Sequence, residues 1–176
     1  MNAPFVGVLQ LPDTSVFGTT SAVTTGDGRP VATIRRRTLT MRNRFEILDA
    51  TETTLLATGA QAGIWGNKFE VMGPQSQFLL SLKFSGWTGP TGRGVVSLPD
   101  GRTLATKGKW TAREFTLTDD AGTPVAQLHT TSRVLSLRPG SLAFEIKAPV
   151  LSVVQAIGLA QCIRAAVENT AAAAAA

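Results

Sequence analysis

The chain has 176 residues, of which 43% are hydrophobic and only 16% are charged, a composition that excludes an intrinsically disordered protein and suits one globular domain. Its single cysteine, Cys162, excludes an intrachain disulfide and favours a reducing, cytoplasmic location. The net charge of +5 favours acidic partners, such as phospholipid headgroups or nucleic acid, only mildly. The chain does not begin with basic residues followed by a long apolar run, so we expect no signal peptide.

Residues 1–21 show little periodicity and are predicted to form an N-terminal arm with one short strand near Val6–Leu11. From residue 22 a motif recurs, in which a run of alternating apolar residues is followed by a turn that begins with Asp. Copies of this motif begin at Asp27, Asp49, Asp100 and Asp120. Asp accepts hydrogen bonds from turn backbone, and Asp-Gly pairs suit tight turns. The motif therefore predicts a series of β-hairpins.

The runs before the turns have the two-residue period of a half-buried strand. Phe45 and Ile47 share one face of such a run, and Phe115 and Leu117 share one face of another. About ten to twelve short strands are expected on this basis, mostly in sequential hairpins. So many strands need closure to avoid exposed edges, and a barrel of this size is too wide to be filled by its own side chains. A helix would fill it.

Residues 149–168, with the sequence PVLSVVQAIGLAQCIRAAVE, are predicted to form that helix. A helix that is apolar nearly all round is surrounded either by protein or by lipid. Two Gln residues and one Arg inside the stretch are costly in a bilayer, so we favour a helix buried in the barrel over a membrane span. The barrel domain is predicted to cover 22–170, and the alanines at 171–176 form a low-complexity tail.

Three features resemble a known superfamily: the Phe45-x-Ile47-x-Asp49 run, the hairpin motif repeated near Asp119 and Asp120, and the final apolar helix. They resemble LURP-one-related proteins and phospholipid scramblases of the tubby C-terminal-like superfamily, over roughly residues 22–170. The resemblance implies a mainly β (α+β) fold, a tubby-like closed antiparallel β-barrel of about 12 strands around a central hydrophobic C-terminal helix.

Functions within that superfamily are divided. Tubby domains bind phosphoinositides, scramblases act on membrane phospholipids, and many LURP-one-like members have no assigned activity. This chain lacks a Cys-rich palmitoylation run, because Cys162 is its only cysteine, and it lacks an acidic calcium loop. Both absences argue against scramblase activity.

The best binding candidate is the basic stretch between residues 35 and 44. If Phe45 and Ile47 face the core, Arg42 and Arg44 face outward. Guanidinium groups bind phosphate bidentately, so this face suits an anionic phospholipid headgroup. The candidate ligand-binding residues are Arg35, Arg37, Arg42 and Arg44. A solvated, edge-protecting strand pair is the alternative, and nucleic acid is disfavoured because no Tyr interleaves the basic residues.

No enzyme, metal or cofactor is predicted. His129 is the only histidine, Cys162 lies in the apolar helix, and no nucleophile-elbow motif is present. We therefore expect a cytoplasmic, non-enzymatic binding or scaffolding barrel, peripherally attached to membranes if its ligand is a phospholipid. Two alternatives stay open. One is a regulatory domain that holds a protein partner without a lipid ligand, and the other is a scramblase-like protein with an inserted helix.

Overall fold

The computed structural model of the protein describes residues 3–12, 20–37, 44–63, 67–85, 93–109, 114–131 and 141–174. Twelve strands and one helix lie in these ranges: β1 (Gly7–Leu11), β2 (Thr20–Thr25), β3 (Pro30–Arg37), β4 (Arg44–Asp49), β5 (Leu55–Ala62), β6 (Lys68–Met72), β7 (Phe78–Phe84), β8 (Gly94–Ser97), β9 (Thr103–Lys109), β10 (Glu114–Thr118), β11 (Pro124–Thr130), β12 (Leu142–Ile146) and α1 (Val153–Ala174).

The strands form a closed antiparallel barrel in which each strand pairs with its neighbours along the chain. β1 completes the ring, because it pairs with β12 from Gly7 opposite Ile146 to Leu11 opposite Leu142 and also pairs with β2. The predicted closed barrel is thus confirmed. The strand expected near Val6–Leu11 is β1, and it lies inside the ring rather than in a separate arm, since β2 and β12 would otherwise expose unpaired edges.

Along strands such as β4 and β10, buried side chains alternate with more exposed ones, as in a half-buried sheet. Phe45, Ile47, Phe115 and Leu117 are all buried, as the two-residue period predicts. These inward side chains share one buried core with α1, whose residues from Ala156 to Ala166 are all buried. The helix packs most closely against β4, β5, β6 and β7. An all-round apolar helix is therefore surrounded by protein, and no helix within the described ranges is long and apolar enough to span a membrane.

The helix begins at Val153, four residues after the predicted start at 149. Ser152 is the N-cap, because its hydroxyl accepts a hydrogen bond from the Gln155 N–H at 3.2 Å, and Gln155 Oε1 accepts one from the Ser152 N–H at 2.8 Å. This reciprocal capping box fixes the start of the helix more strongly than Pro149 does. At the other end α1 runs to Ala174, so it includes the first residues of the alanine tail.

The up-and-down order sorts the connections onto two ends of the barrel. One end, here called the turn end, carries the connections at 26–29, 50–54, 73–77, 98–102, 119–123 and 147–152. The opposite loop end carries the connections at 12–19, 38–43, 63–67, 85–93, 110–113 and 131–141, many of whose residues lie outside the described ranges. α1 starts at the turn end and runs toward the loop end.

The Asp motif builds the turn end, as predicted. Asp49 Oδ1 accepts hydrogen bonds from the N–H groups of Thr53 at 2.8 Å and Thr54 at 3.1 Å. In the β10–β11 turn the acceptor is Asp119 rather than Asp120. Asp119 Oδ1 accepts a hydrogen bond from the Thr123 N–H at 2.8 Å. Both carboxylates satisfy turn amides that have no strand partner.

Candidate functional site

The candidate site lies where β3 ends and β4 begins, at the loop end. Register places Arg35 opposite Glu46, Arg36 opposite Phe45, and Arg37 opposite Arg44. Arg44 is exposed, while Phe45 beside it faces the core, so Arg44 lies on the outer wall. It makes no ion pair with any residue that the structure describes. Arg42 lies outside the described residues.

Two of the arginines in this stretch already hold a carboxylate. Arg35 lies on the outer face, and its Nη1 is 3.7 Å from Glu46 Oε2. The Arg35 side chain is 41% exposed. Arg36 has the opposite orientation: it shares the inner face with Ile34, and its Nη1 lies 3.0 Å from Glu168 Oε1. Strand alternation therefore separates neighbouring arginines, and only the outer ones face solvent on the wall.

Like charges lie directly opposite each other at two places near the loop end. Arg37 is opposite Arg44 across β3 and β4, and Lys68 is opposite Lys83 across β6 and β7. Glu70 relieves the second pair, because its Oε1 lies 2.6 Å from Lys68 Nζ. Like-charged cross-strand pairs destabilise a sheet. The barrel tolerates two of them on the same end, which concentrates positive charge there.

Polar contacts fasten the end of α1 to the wall at the loop end. Arg164 Nη2 donates to the Leu11 carbonyl at 3.1 Å, and Asn169 Nδ2 donates to Gln61 Oε1 at 3.2 Å. With the Arg36–Glu168 pair, these contacts attach the helix to β1, β3 and β5. Sequence alone does not indicate this role, because the partners of Arg36 and Arg164 are 132 and at least 152 positions away along the chain.

Two side chains with reactive chemistry, Cys162 and His129, lie on other elements than the β3–β4 hairpin. Burial raises the pKa of the Cys162 thiol far above its usual range, so the thiol stays protonated in the core. His129 lies on β11, opposite Ala143 of β12. The described part of the chain contains no group of three or more His, Cys, Asp or Glu side chains placed to hold a metal ion.

Comparisons with known proteins support the fold. The solved structure of an Arabidopsis thaliana protein, AT5G01750, superposes with a TM-score of 0.61, covering 93% of this chain and 92% of that chain at 15% sequence identity. The two proteins share the fold over nearly their whole lengths. No protein-family model matches the chain, and no curated protein gives a significant match.

Proposed function

We propose that the protein is a non-enzymatic binding barrel that recognises anionic phospholipid headgroups at the β3–β4 hairpin. The observation that supports this proposal is the register that places Arg37 opposite Arg44 at the end of the hairpin. Opposed residues on one face of an antiparallel pair have Cβ atoms about 4.5–5.5 Å apart. A guanidinium group binds phosphate oxygen atoms in a planar fork, so the exposed Arg44 at the end of this hairpin suits a phosphate group.

A bound anion would supply a counterion to the exposed Arg44. Arg35 is partly neutralised by Glu46, whereas Arg44 forms no ion pair within the described residues. An anion bound beside Arg44 lowers the electrostatic free energy of this unpaired guanidinium group. The resemblance to LURP-one-related proteins and scramblases agrees with a phospholipid ligand, and the buried helix disfavours insertion as the means of binding.

The test is co-sedimentation of the purified full chain with neutral and anionic liposomes at low and high salt. We expect binding only to anionic vesicles, weakening as salt screens the arginines. The double variant Arg42→Glu and Arg44→Glu is expected to abolish this binding while keeping the barrel folded by circular dichroism. The matched control is Arg29→Glu with Arg102→Glu, two exposed turn-end residues whose replacement changes the net charge equally.

Equal loss of binding in the two double variants would refute a site on the hairpin. Absence of wild-type binding to any vesicle would refute the lipid ligand, and a regulatory domain with a protein partner would become the better proposal. Salt-resistant binding to neutral and anionic vesicles alike would instead indicate insertion of α1, the scramblase-like alternative.

A further inference from the structure

Glu46 shares the outer face of the β3–β4 hairpin with two arginines. Register places it directly opposite Arg35 of β3, and Arg44 precedes it by two positions on β4. Side chains two positions apart on a strand project from the same face, so Arg44 and Glu46 point outward while Phe45 between them is buried. The wall therefore presents a carboxylate on the same face as the two cations.

The contact between Arg35 and Glu46 is a loose ion pair. Arg35 Nη1 lies 3.7 Å from Glu46 Oε2, whereas a charge-assisted hydrogen bond joins its two atoms at about 2.7–2.9 Å. The Arg35 side chain is 41% exposed, and that of Glu46 is 15% exposed. Ion pairs that reach solvent contribute little to stability. An external anion can therefore compete with Glu46 for the Arg35 guanidinium at little cost to the fold.

A carboxylate beside an arginine has one of two effects on a site for anions. It positions the guanidinium for the ligand when short hydrogen bonds fix the plane of that group, and it competes with the ligand when they do not. The 3.7 Å separation at Arg35 is too long to fix the plane. Glu46 also carries the same sign of charge as a headgroup bound at Arg44, which it repels. Both observations favour competition.

We propose that Glu46 is a built-in competitor for the anionic headgroup: it occupies Arg35 in the free protein and so limits the affinity of the β3–β4 site. This inference rests on the proposed phospholipid function and adds the residue that regulates the same site. A headgroup bound at Arg44 gains Arg35 only by displacing Glu46. The barrel consequently binds poorly to weakly charged membranes and requires a high density of anionic lipid.

The first experiment measures binding of the purified full chain to phosphatidylcholine vesicles with a graded fraction of phosphatidylserine. Glu46→Gln is expected to raise affinity about fivefold, the effect of one unit of charge near an anionic surface, and to move half-maximal binding to a lower phosphatidylserine fraction. If Glu46→Gln loses the circular dichroism spectrum of the folded barrel, Glu46→Thr makes the same test, since Thr is favoured in strands.

The matched control is Glu145→Gln. Glu145 is also an outer-wall carboxylate in a loose ion pair, with its Oε2 3.5 Å from Lys147 Nζ. It lies on β12, four strands from β4 in the ring order, so this variant should bind within about twofold of the wild type. An equal gain in the two variants would overturn the proposal, because it would reflect net charge alone.

A second experiment separates competition from repulsion. Arg35→Gln is made in the wild type and in the Glu46→Gln variant, and the loss of affinity is compared. Repulsion without competition predicts the same fold loss in both backgrounds. Competition predicts a loss at least about threefold larger in the Glu46→Gln background, because only there is Arg35 available to the headgroup. Equal losses would overturn the competitor role.

The outcomes distinguish this inference from the function on which it rests. Wild-type binding together with an unchanged or weakened Glu46→Gln variant would overturn the competitor role and leave the headgroup site in place. A weakened variant would identify Glu46 as a positioning residue for Arg35. Absence of binding to any vesicle, by the wild type and by Glu46→Gln alike, would refute the proposed function and this inference together.

Discussion

Arg36 on the inner face of β3 holds Glu168 near the end of α1, with Nη1 and Oε1 3.0 Å apart. The pair joins the first third of the chain to its C-terminal helix. Its side chains are 21% and 48% exposed, so the pair lies at the loop end of the barrel, where α1 meets solvent. An arginine in the middle of a basic stretch therefore has a structural role, while Arg35 and Arg44 beside it face outward.

We expect the Arg36–Glu168 pair to stabilise the fold by less than about 1 kcal/mol, because partly exposed ion pairs are screened by solvent. A double-mutant cycle with Arg36→Gln and Glu168→Gln, measured by urea unfolding at low salt, should give a coupling free energy of about 0.2–1 kcal/mol. The coupling should fall at high salt. A zero coupling at low salt would show that the carboxylate does not hold the helix.

Gly59 makes room for Phe45 inside the barrel. A Cβ atom at position 59 would lie 2.0 Å from Phe45 Cζ, well inside any allowed contact. Gly59→Ala is expected to lower the free energy of unfolding by about 1–3 kcal/mol, since a close-packed core cannot accept the methyl group without strain. Chemical denaturation measures this change.

The control for Gly59→Ala removes the ring that it meets. Phe45→Leu by itself is expected to destabilise the barrel, but the combination with Gly59→Ala should cost clearly less than the sum of the two single changes. Additive costs would mean that the two residues do not compete for the same space.

Much of this fold follows from local pattern. The alternation at Phe45 and Ile47 identifies the inner face because a strand has a period of two residues, and Asp49 marks a turn because its carboxylate satisfies turn amides. The sequence did not reveal that β1 closes the ring, because five residues of ordinary alternation do not indicate which edges they pair. The predicted helix start at 149 is four residues early, because the helix is capped by Ser152 and Gln155 and begins at Val153.

The site was less predictable than the fold. The outward orientation of Arg44 follows from its neighbour Phe45, but the ion pairs of Arg35 and Arg36 depend on register and on a helix far along the chain.

The capping box gives a third prediction. Ser152→Ala is expected to lower the free energy of unfolding by about 1 kcal/mol, because the Gln155 N–H loses its acceptor at the start of the helix. Ser152→Gly should cost only a few tenths of a kcal/mol, since Gly is itself a good N-cap. Thermal unfolding followed by circular dichroism at 222 nm would compare the two variants. Equal losses would indicate that burial of the Ser152 side chain, rather than capping, sets the effect.

The turn end gives a prediction about acid stability. The Thr54 N–H donates to the Asp49 carboxylate, and Thr51 and Thr53 donate as well, so the pKa of Asp49 falls from 3.8 to about 2. A carboxyl with a lowered pKa in the folded state stabilises the protein above its unfolded pKa, and this stabilisation is lost as the pH falls from about 4 to about 2.

Asp49→Asn removes the charge but keeps the size of the side chain, so it isolates this effect. The wild type is expected to be more stable than the variant at pH 6, and the difference should shrink between pH 4 and pH 2 and nearly vanish at the lower limit. Urea unfolding of both proteins across this pH range measures the difference in the free energy of unfolding. The other turn aspartates titrate in both proteins, so their contributions cancel in this difference. A difference that stays constant with pH would show that ionised Asp49 contributes no more than a neutral acceptor, and that shape rather than charge holds this turn.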